Sequence, residues 1–478
     1  MIHSDWIVIL PQIILAMGGF IVLCAGVFWR RRPAGLLFII SLFAALASCA
    51  VAALWEPNTA VFAGMIDGSG YARFFTFLLS SITALTLLFS YRYARIRSFA
   101  GDEFYALILF AAFGMVLAAS GIHWVIFFLG LEMLSVSLYV LIAMQKDKQP
   151  YNEAALKYFI MGAVASAFLT FGIALIYAMT GKLGVAESLG TTASGSIHAG
   201  LLLGLSLVLV GIGFKVSLVP FHLWTPDVYQ GAPAPITAFL STGSKVAIFA
   251  AFLRFAMYAA DGVWAYFMPV LWILAVLTMV VGNVTALAQT HLKRLLAYSS
   301  IAHMGYMLMA LLAVKESGAG AVMFYSAVYA LMDLGAFGTV GLLSGEAADA
   351  DQLDDFRGLG YSRPWVSGLL AVSLFSLAGL PPAAGFVGKF MIFRAALQAN
   401  YLILAIIGIG TAILSVYFYL KVIVVLYMST AQREVAPGRA GFLGDLACGF
   451  VLTLLLWLGV LPSAVLSIIS KIVYSFIA

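Results

Sequence analysis

The sequence predicts an all-α polytopic membrane protein of about fourteen transmembrane helices, with two inverted five-helix repeats that each contain a broken helix. Three observations carry this reading. Hydrophobic residues make up 64% of the 478 positions and charged residues 9%, too few to solvate a water-facing surface. Long apolar runs recur from end to end, giving a mean hydropathy of +1.07; a bilayer core of about 30 Å asks for about 20 such residues per helix. Two of the runs are interrupted by clustered prolines and glycines.

Reading the runs against their polar breaks places spans at 4–28, 34–55, 72–91, 103–120, 123–144, 153–179, 199–218, 235–258, 263–288, 293–313, 320–343, 366–395, 400–428 and 441–469. The runs are continuously apolar and do not alternate, which selects helices over a barrel. The first keeps a polar start and is followed at once by the second, so it is expected as a retained span and not a cleaved signal. The seventh breaks within GIGFKVSLVPFHLWTPDVYQGAPAP and the twelfth within SLAGLPPAAGFVGKF. Proline removes an intrahelical donor and clashes with the preceding turn. In hydrocarbon the freed carbonyls are tolerable only against protein or water, and broken helices in corresponding halves point to a transport site. The breaks lie five spans apart, an odd offset that inverts the second copy. The expected organisation is an N-terminal three-helix segment (1–102), a first repeat (103–258), a second repeat (263–428) and a C-terminal segment with span fourteen (429–478).

Basic loop residues alternate in density. Arg30, Arg31 and Arg32 follow the first span, Arg92, Arg95 and Arg97 the third, and Lys146 and Lys148 the fifth. Lys293 and Arg294 follow the ninth, Arg357 and Arg363 the eleventh, and Arg433 and Arg439 the thirteenth, whereas the intervening loops hold little beyond Lys182 and Lys315. The positive-inside rule then puts odd-to-even loops in the cytoplasm and both termini outside. Glu346, Asp349, Asp351, Asp354 and Asp355 share the eleventh-to-twelfth loop, but acidic residues count little in that rule. The net charge of +5 reflects this topology and not nucleic-acid binding. Cys24, Cys49 and Cys448 lie in or beside apolar spans with no CxxC spacing and read as small buried hydrophobes. No haem, iron–sulfur, zinc or nucleotide motif is recognisable.

The candidate functional residues are charges placed where hydrocarbon should be. An ionisable group at bilayer depth costs about 2.5–3.5 kcal/mol even on the lenient insertion scale, and such groups mark ion or proton routes. Glu132 is central in the fifth span and Lys245 in the eighth, among the small residues Ser241, Thr242, Gly243 and Ser244. Lys215 lies beside the first break and Lys389 beside the second, in the place corresponding to Lys215. At a separation of about 7 Å and an effective dielectric of about 20, Glu132 and Lys215 would interact by about 2.4 kcal/mol, enough for one proton's movement to reset the other's affinity. His303 and Asp333 are central in the tenth and eleventh spans. Each residue also has a purely structural reading: an interhelix ion pair for Glu132, an interhelix hydrogen bond for His303 and Asp333, a snorkelling position for Lys389. Lys157, one turn after Glu153, fits either the polar axis or an exposed helix pair. His222 and Asp227, in the Pro-rich connection, fit either a gate or backbone capping. His123, His291, Arg73 and Arg254 lie near loops or span ends and read as structural.

The runs PFHLWTPDVYQGAPAPITAFLSTGSKVA, HLKRLLAYSSIAHMGYM and GLPPAAGFVGKF resemble signatures of the antiporter-like membrane subunits of NADH–quinone oxidoreductase (respiratory complex I). The likeness covers essentially the whole chain and is nearest the N-type branch, with WTPDVYQGAPAP and STGSKVA setting it apart from the L and M types. It implies that Glu132 is the fifth-helix glutamate, Lys215 its seventh-helix partner, Lys245 the central eighth-helix lysine, His303 the tenth-helix histidine and Lys389 the terminal twelfth-helix lysine of a proton relay. It further implies a subunit of the bacterial inner membrane with no cofactor of its own. FMN, iron–sulfur clusters and quinone are expected in partner subunits, and the neighbours in the hetero-oligomer are expected to be an M-type subunit and small K- and J-type subunits, besides membrane lipids. Two other functions stay open on the residues: a subunit of a Na⁺/H⁺ antiporter complex, and a structural or assembly subunit without a proton route.

Overall fold

The computed structural model describes residues 2–28, 34–55, 61–145, 147–190, 198–345, 349–430 and 441–477. Arg30, Arg31, Arg32, Lys146, Glu346, Arg433 and Arg439, which enter the charge reading, lie outside them. The described residues form fourteen spans. Twelve are helices long and apolar enough to cross a bilayer, and the seventh and twelfth are the two broken ones. In order the spans are Ile2–Phe28, Ala34–Leu54, Gly70–Ile96, Asp102–Ser120, Trp124–Ile142, Gln149–Thr180, the pair Ala199–Lys215 and Trp224–Gly231, and Ala234–Tyr258. Then come Asp261–Leu287, Leu292–Leu312, Ala319–Leu343, the pair Pro364–Ala378 and Ala384–Gln398, Leu402–Met428 and Phe442–Val460.

Spans eight, ten and eleven bury nearly all of their residues and form the axis of the bundle, while the first, second, sixth, ninth, thirteenth and fourteenth leave most of theirs on the outside. That outer surface carries large apolar side chains such as Phe43, Phe171, Ile413 and Tyr417, as a lipid-facing wall requires. Lipid tails are as apolar as leucine, so packing between spans rests on close backbone approach at small residues. A Cβ on Gly130 would stand 2.5 Å from the Ala118 nitrogen, and one on Gly114 2.5 Å from the Leu134 nitrogen. Spans four and five therefore interlock reciprocally, and this contact sets the position of Glu132.

Three elements depart from the expected pattern. The fourteenth span ends at Val460 instead of running to 469; Pro462 interrupts the chain and a separate helix, Ser463–Ile477, follows. That helix turns Leu466, Ile469, Ile472 and Val473 toward the protein and Ser467, Ser470, Lys471 and Ser475 away from it, a polar face that suits an interface better than hydrocarbon. The eighth span contains a π-helical turn at Leu240–Ser244, immediately before Lys245. Hydroxyls stabilise it from within: Thr242 donates to the Ala238 carbonyl at 2.6 Å and Ser244 to that of Leu240 at 2.5 Å. A second π-helical turn, Val314–Gly318, opens the eleventh span.

The connections sort onto two faces, each locked by buried charge. On one, Arg254 from the end of span eight reaches Asp67 of the 61–69 loop at 2.8 Å and the Gly121 carbonyl at 3.0 Å. On the other, Asp349 accepts from Arg97 at 2.9 Å, Lys293 at 2.8 Å and the Tyr93 hydroxyl at 2.6 Å. The acidic loop is thus spent on the basic residues of its own face: Asp351 meets His291 at 3.1 Å and Asp354 meets Arg357 at 2.8 Å. Burial alone would raise the Asp349 carboxyl, but Lys293 and Arg97 outweigh it and hold the group below the usual carboxylate range.

A carboxylate whose folded pKa is depressed stabilises the fold above its unfolded pKa, and this contribution is lost as pH falls through the folded value. Thermal melts of the solubilised protein should therefore fall below about pH 4, the unfolded Asp value. Asp349→Asn leaves two buried cations uncompensated, so it should cost about 3–5 kcal/mol at neutral pH and flatten that acid limb. A variant melting like the parent across the range would show that the cluster adds nothing to stability.

Candidate functional site

Lys215, Lys245, His303 and Lys389 are all buried, at 3%, 0%, 1% and 4% exposure. Together with Glu132 they lie within spans five, seven, eight, ten and twelve, and what solvates each is the protein itself. Lys215 is the last residue of the first half of span seven. Its ammonium donates to Ser135 Oγ at 2.6 Å and lies 3.5 Å from the Tyr139 hydroxyl. The Tyr139, Tyr158 and Phe214 rings surround it at 5.8, 5.9 and 6.0 Å, distances at which ring quadrupoles attract a cation. Trp224 fixes the break: its indole N–H donates to the Phe214 carbonyl at 3.0 Å and its ring stacks on Tyr158 at 4.6 Å.

Glu132 accepts a hydrogen bond of 2.5 Å from Ser166 of span six. No direct ion pair joins Glu132 to Lys215 among the described residues; Ser135, three residues along the same helix, takes the ammonium instead. Glu132 also differs from the lysines in being only part-buried.

Lys245 donates to Ser300 Oγ at 2.6 Å, and Ser300 lies 2.7 Å from the Tyr329 hydroxyl. Tyr329 in turn reaches Asp333 Oδ2 and the Ser241 carbonyl, each at 3.1 Å. The π-helical turn explains the second contact: the Lys245 N–H bonds the Thr242 carbonyl, which opens the Ser241 carbonyl to a side chain. The Tyr229 ring lies 5.4 Å from the Lys245 ammonium. His303 is held between two tyrosines, with Nδ1 at 2.6 Å from the Tyr325 hydroxyl and Nε2 at 3.1 Å from that of Tyr419; Tyr419 also bonds Ser299.

Lys389 stands five residues into the second half of span twelve, whereas Lys215 ends the first half of its own span. The long side chain closes the difference. Its ammonium reaches back to the carbonyls of Leu377 at 2.7 Å and Ala378 at 3.1 Å, the last of the first half-helix. Gly379, with φ at +81°, makes room: a Cβ there would stand 2.8 Å from Lys389 Cδ. The Tyr306 ring lies 5.3 Å from the ammonium, and its hydroxyl meets Asn283 at 3.1 Å and Thr411 at 3.2 Å.

Asp333 belongs to this axis through Tyr329. Lys157 and Asp227 do not. They form a half-exposed ion cluster in which Lys157 meets Glu153 at 2.8 Å and Asp227 at 3.0 Å, and Arg294 meets Asp227 at 2.7 Å. Asp227 sits in the first turn of Trp224–Gly231, where an acid favours the helix N-terminus. His222 lies half-buried in the break itself. The hydroxyls of Ser135, Ser299, Ser300, Tyr325, Tyr329 and Tyr419 were missed by reading charges alone. One signal was available: Tyr325, Tyr329 and Asp333 recur every four residues, a single face of one helix.

Buried cations strung between two broken membrane helices define a membrane protein of the antiporter type, and comparison with known proteins agrees. Residues 121–415 match the family described as NADH:quinone oxidoreductase/Mrp antiporter, TM. Over 97% of both chains the sequence is 48% identical to NADH-quinone oxidoreductase subunit N 1 of Solidesulfovibrio magneticus. It is 42% identical to NADH-quinone oxidoreductase subunit N of Geotalea uraniireducens, over 98% of this chain and 99% of that one. The chain belongs to the NADH-quinone oxidoreductase subunit N family. Among solved structures, a chain of respiratory complex I from Thermus thermophilus with bound aureothin superposes with a TM-score of 0.81 at 36% identity, covering 96% of this chain and 98% of that one. A chain of the Mrp complex from Dietzia superposes at 0.85 with 20% identity, over 100% and 98%, and shares the fold.

Tyr329→Phe deletes the hydroxyl that joins Ser300, Asp333 and the Ser241 carbonyl while keeping the ring. Hydrogen bonds to charged groups contribute about 1.5–3 kcal/mol, so a step that uses the link should slow by about 10–100-fold. Proton uptake by the assembled complex in sealed vesicles checks this, and an unchanged rate would remove Tyr329 from the route.

Proposed function

We propose that this chain carries protons across the membrane as an antiporter-like subunit of an NADH–quinone oxidoreductase, driven by electron transfer from NADH to quinone in partner subunits. The observation that carries the proposal is the row of buried lysines and one glutamate, each bonded to hydroxyls or carbonyls where water would otherwise be needed. Hydroxyl groups both donate and accept, so they can pass a proton where a methyl group cannot. In this reading Glu132 and Lys215 form a coupled pair, Lys245 the centre, and His303 and Lys389 the continuation in the second half, with Asp333 as a branch from Lys245. Spans four to eight and nine to thirteen act as inverted repeats, each contributing one broken helix to a half-channel.

Glu132 supports the partner assignment. A carboxylate only part-buried at mid-bilayer needs a neighbour over spans five and six, and small K- or J-type subunits fit that side. An M-type neighbour would continue the axis elsewhere, and FMN, iron–sulfur clusters and quinone stay in partner subunits. The distribution of arginine and lysine supports both termini on the outer side of a bacterial inner membrane.

Lys245→Ala in the assembled complex should impair quinone reduction coupled to pumping; a normal proton-to-electron ratio and turnover would favour a scaffold role instead. Replacing sodium by choline should leave pumping intact, since loss would favour a Na⁺ carrier. For the pair, Glu132→Gln and Lys215→Ala should be non-additive by about 0.5–3 kcal/mol in a double-mutant cycle, and strictly additive effects would dissolve the coupling.

A further inference from the structure

We infer that the groove bounded by the second, third, eleventh and fourteenth spans and the terminal helix Ser463–Ile477 is a binding site for an anionic phospholipid. The cavity there measures about 720 Å³, within the range of about 300–1,000 Å³ typical of ligand sites. Phe74, Phe77, Leu331, Phe450, Trp457 and Ile472 give it apolar walls. Along span three it is lined from Gly70 to Leu85, which at 1.5 Å per residue is about 22 Å of depth. Half of a bilayer core of about 30 Å is shorter than that, so the groove runs through one whole leaflet.

Water would fill such a cleft poorly, and the chemistry of its mouth selects the occupant. Arg73 and Lys471 line it and no carboxylate does. The Arg73 side chain is held in place by donating to the Ala52 carbonyl at 3.1 Å and to that of Ala53. A guanidinium has five N–H donors in a planar fork suited to phosphate oxygens, more than these two contacts use. Lys471 approaches from the terminal helix, so the phosphate is flanked by cations from two elements while acyl chains follow the aromatic wall inward. Trp457, three residues before the end of span fourteen, stands at the depth where indole rings meet headgroups. A neutral lipid would match the walls but not the mouth.

The test uses the whole complex, purified, stripped of lipid with detergent and re-supplied with phosphatidylglycerol or phosphatidylcholine of identical chains, with bound lipid counted by native mass spectrometry. Phosphatidylglycerol should be retained preferentially. Lys471→Gln, at an exposed position, should lower that preference about fivefold, the worth of one basic residue at a lipid surface. Ala327→Trp, which fills the groove, should remove the bound lipid, whereas the exposed Lys471→Gln variant guards against a folding artefact. Equal retention of the two lipids, or a count untouched by both variants, overturns the proposal. A groove that takes up no lipid because a partner subunit fills it overturns it as well.

Discussion

A cation cannot sit in hydrocarbon unless something replaces its water, and the architecture follows from meeting that demand three times over. Lys215, Lys245 and Lys389 are each buried, and each is solvated by a different device. Lys215 uses a serine and a cage of rings. Lys245 uses a serine backed by a tyrosine and an aspartate. Lys389 uses two backbone carbonyls left free by a broken helix. The three solutions share a property that matters more than their differences. None places a carboxylate in direct contact with the ammonium, so no tight ion pair traps the charge.

Helix irregularities are the source of much of this solvation. A regular helix consumes its own carbonyls and offers none to a side chain. The break in span twelve frees the carbonyls that hold Lys389, and the π-helical turn in span eight lets the Ser241 carbonyl meet Tyr329. Such turns cluster at functional positions, and here the mechanism is plain: they convert backbone into ligand. The buried ion clusters at Asp67 and Asp349 do the opposite work. They tie loops to span ends on both faces and keep the irregular core from relaxing.

Much of this was legible in the sequence, for a physical reason. A charge in an apolar run is conspicuous, so Glu132, Lys215, Lys245, His303 and Lys389 could be picked out singly, and proline clusters announced both breaks. What stayed hidden has no compositional contrast. Ser300 and Tyr329 are ordinary residues in membrane helices, and only the folded chain shows that they stand between Lys245 and Asp333. Lys157 and Asp227 illustrate the reverse error: charge near a span end reads like charge inside it until exposure is known. The π-helical turn was hidden too, since Ser241, Thr242, Gly243 and Ser244 suit close helix packing equally well. Span fourteen was read too long because Pro462 interrupts an apolar stretch that continues on both sides of it.

The turn at Leu240–Ser244 also constrains how this span can change through descent. It amounts to one residue more than a regular helix would use, and each residue turns a helix by about 100°. Lys245 facing Ser300 and Arg254 facing Asp67 both lie downstream of it. Deleting any one residue of the turn would swing both side chains away from their partners together, while a neighbour on the upstream side stayed in phase. Single substitutions can drift along this helix, but its length cannot: the span is a counted measure, and its extra residue is part of the count.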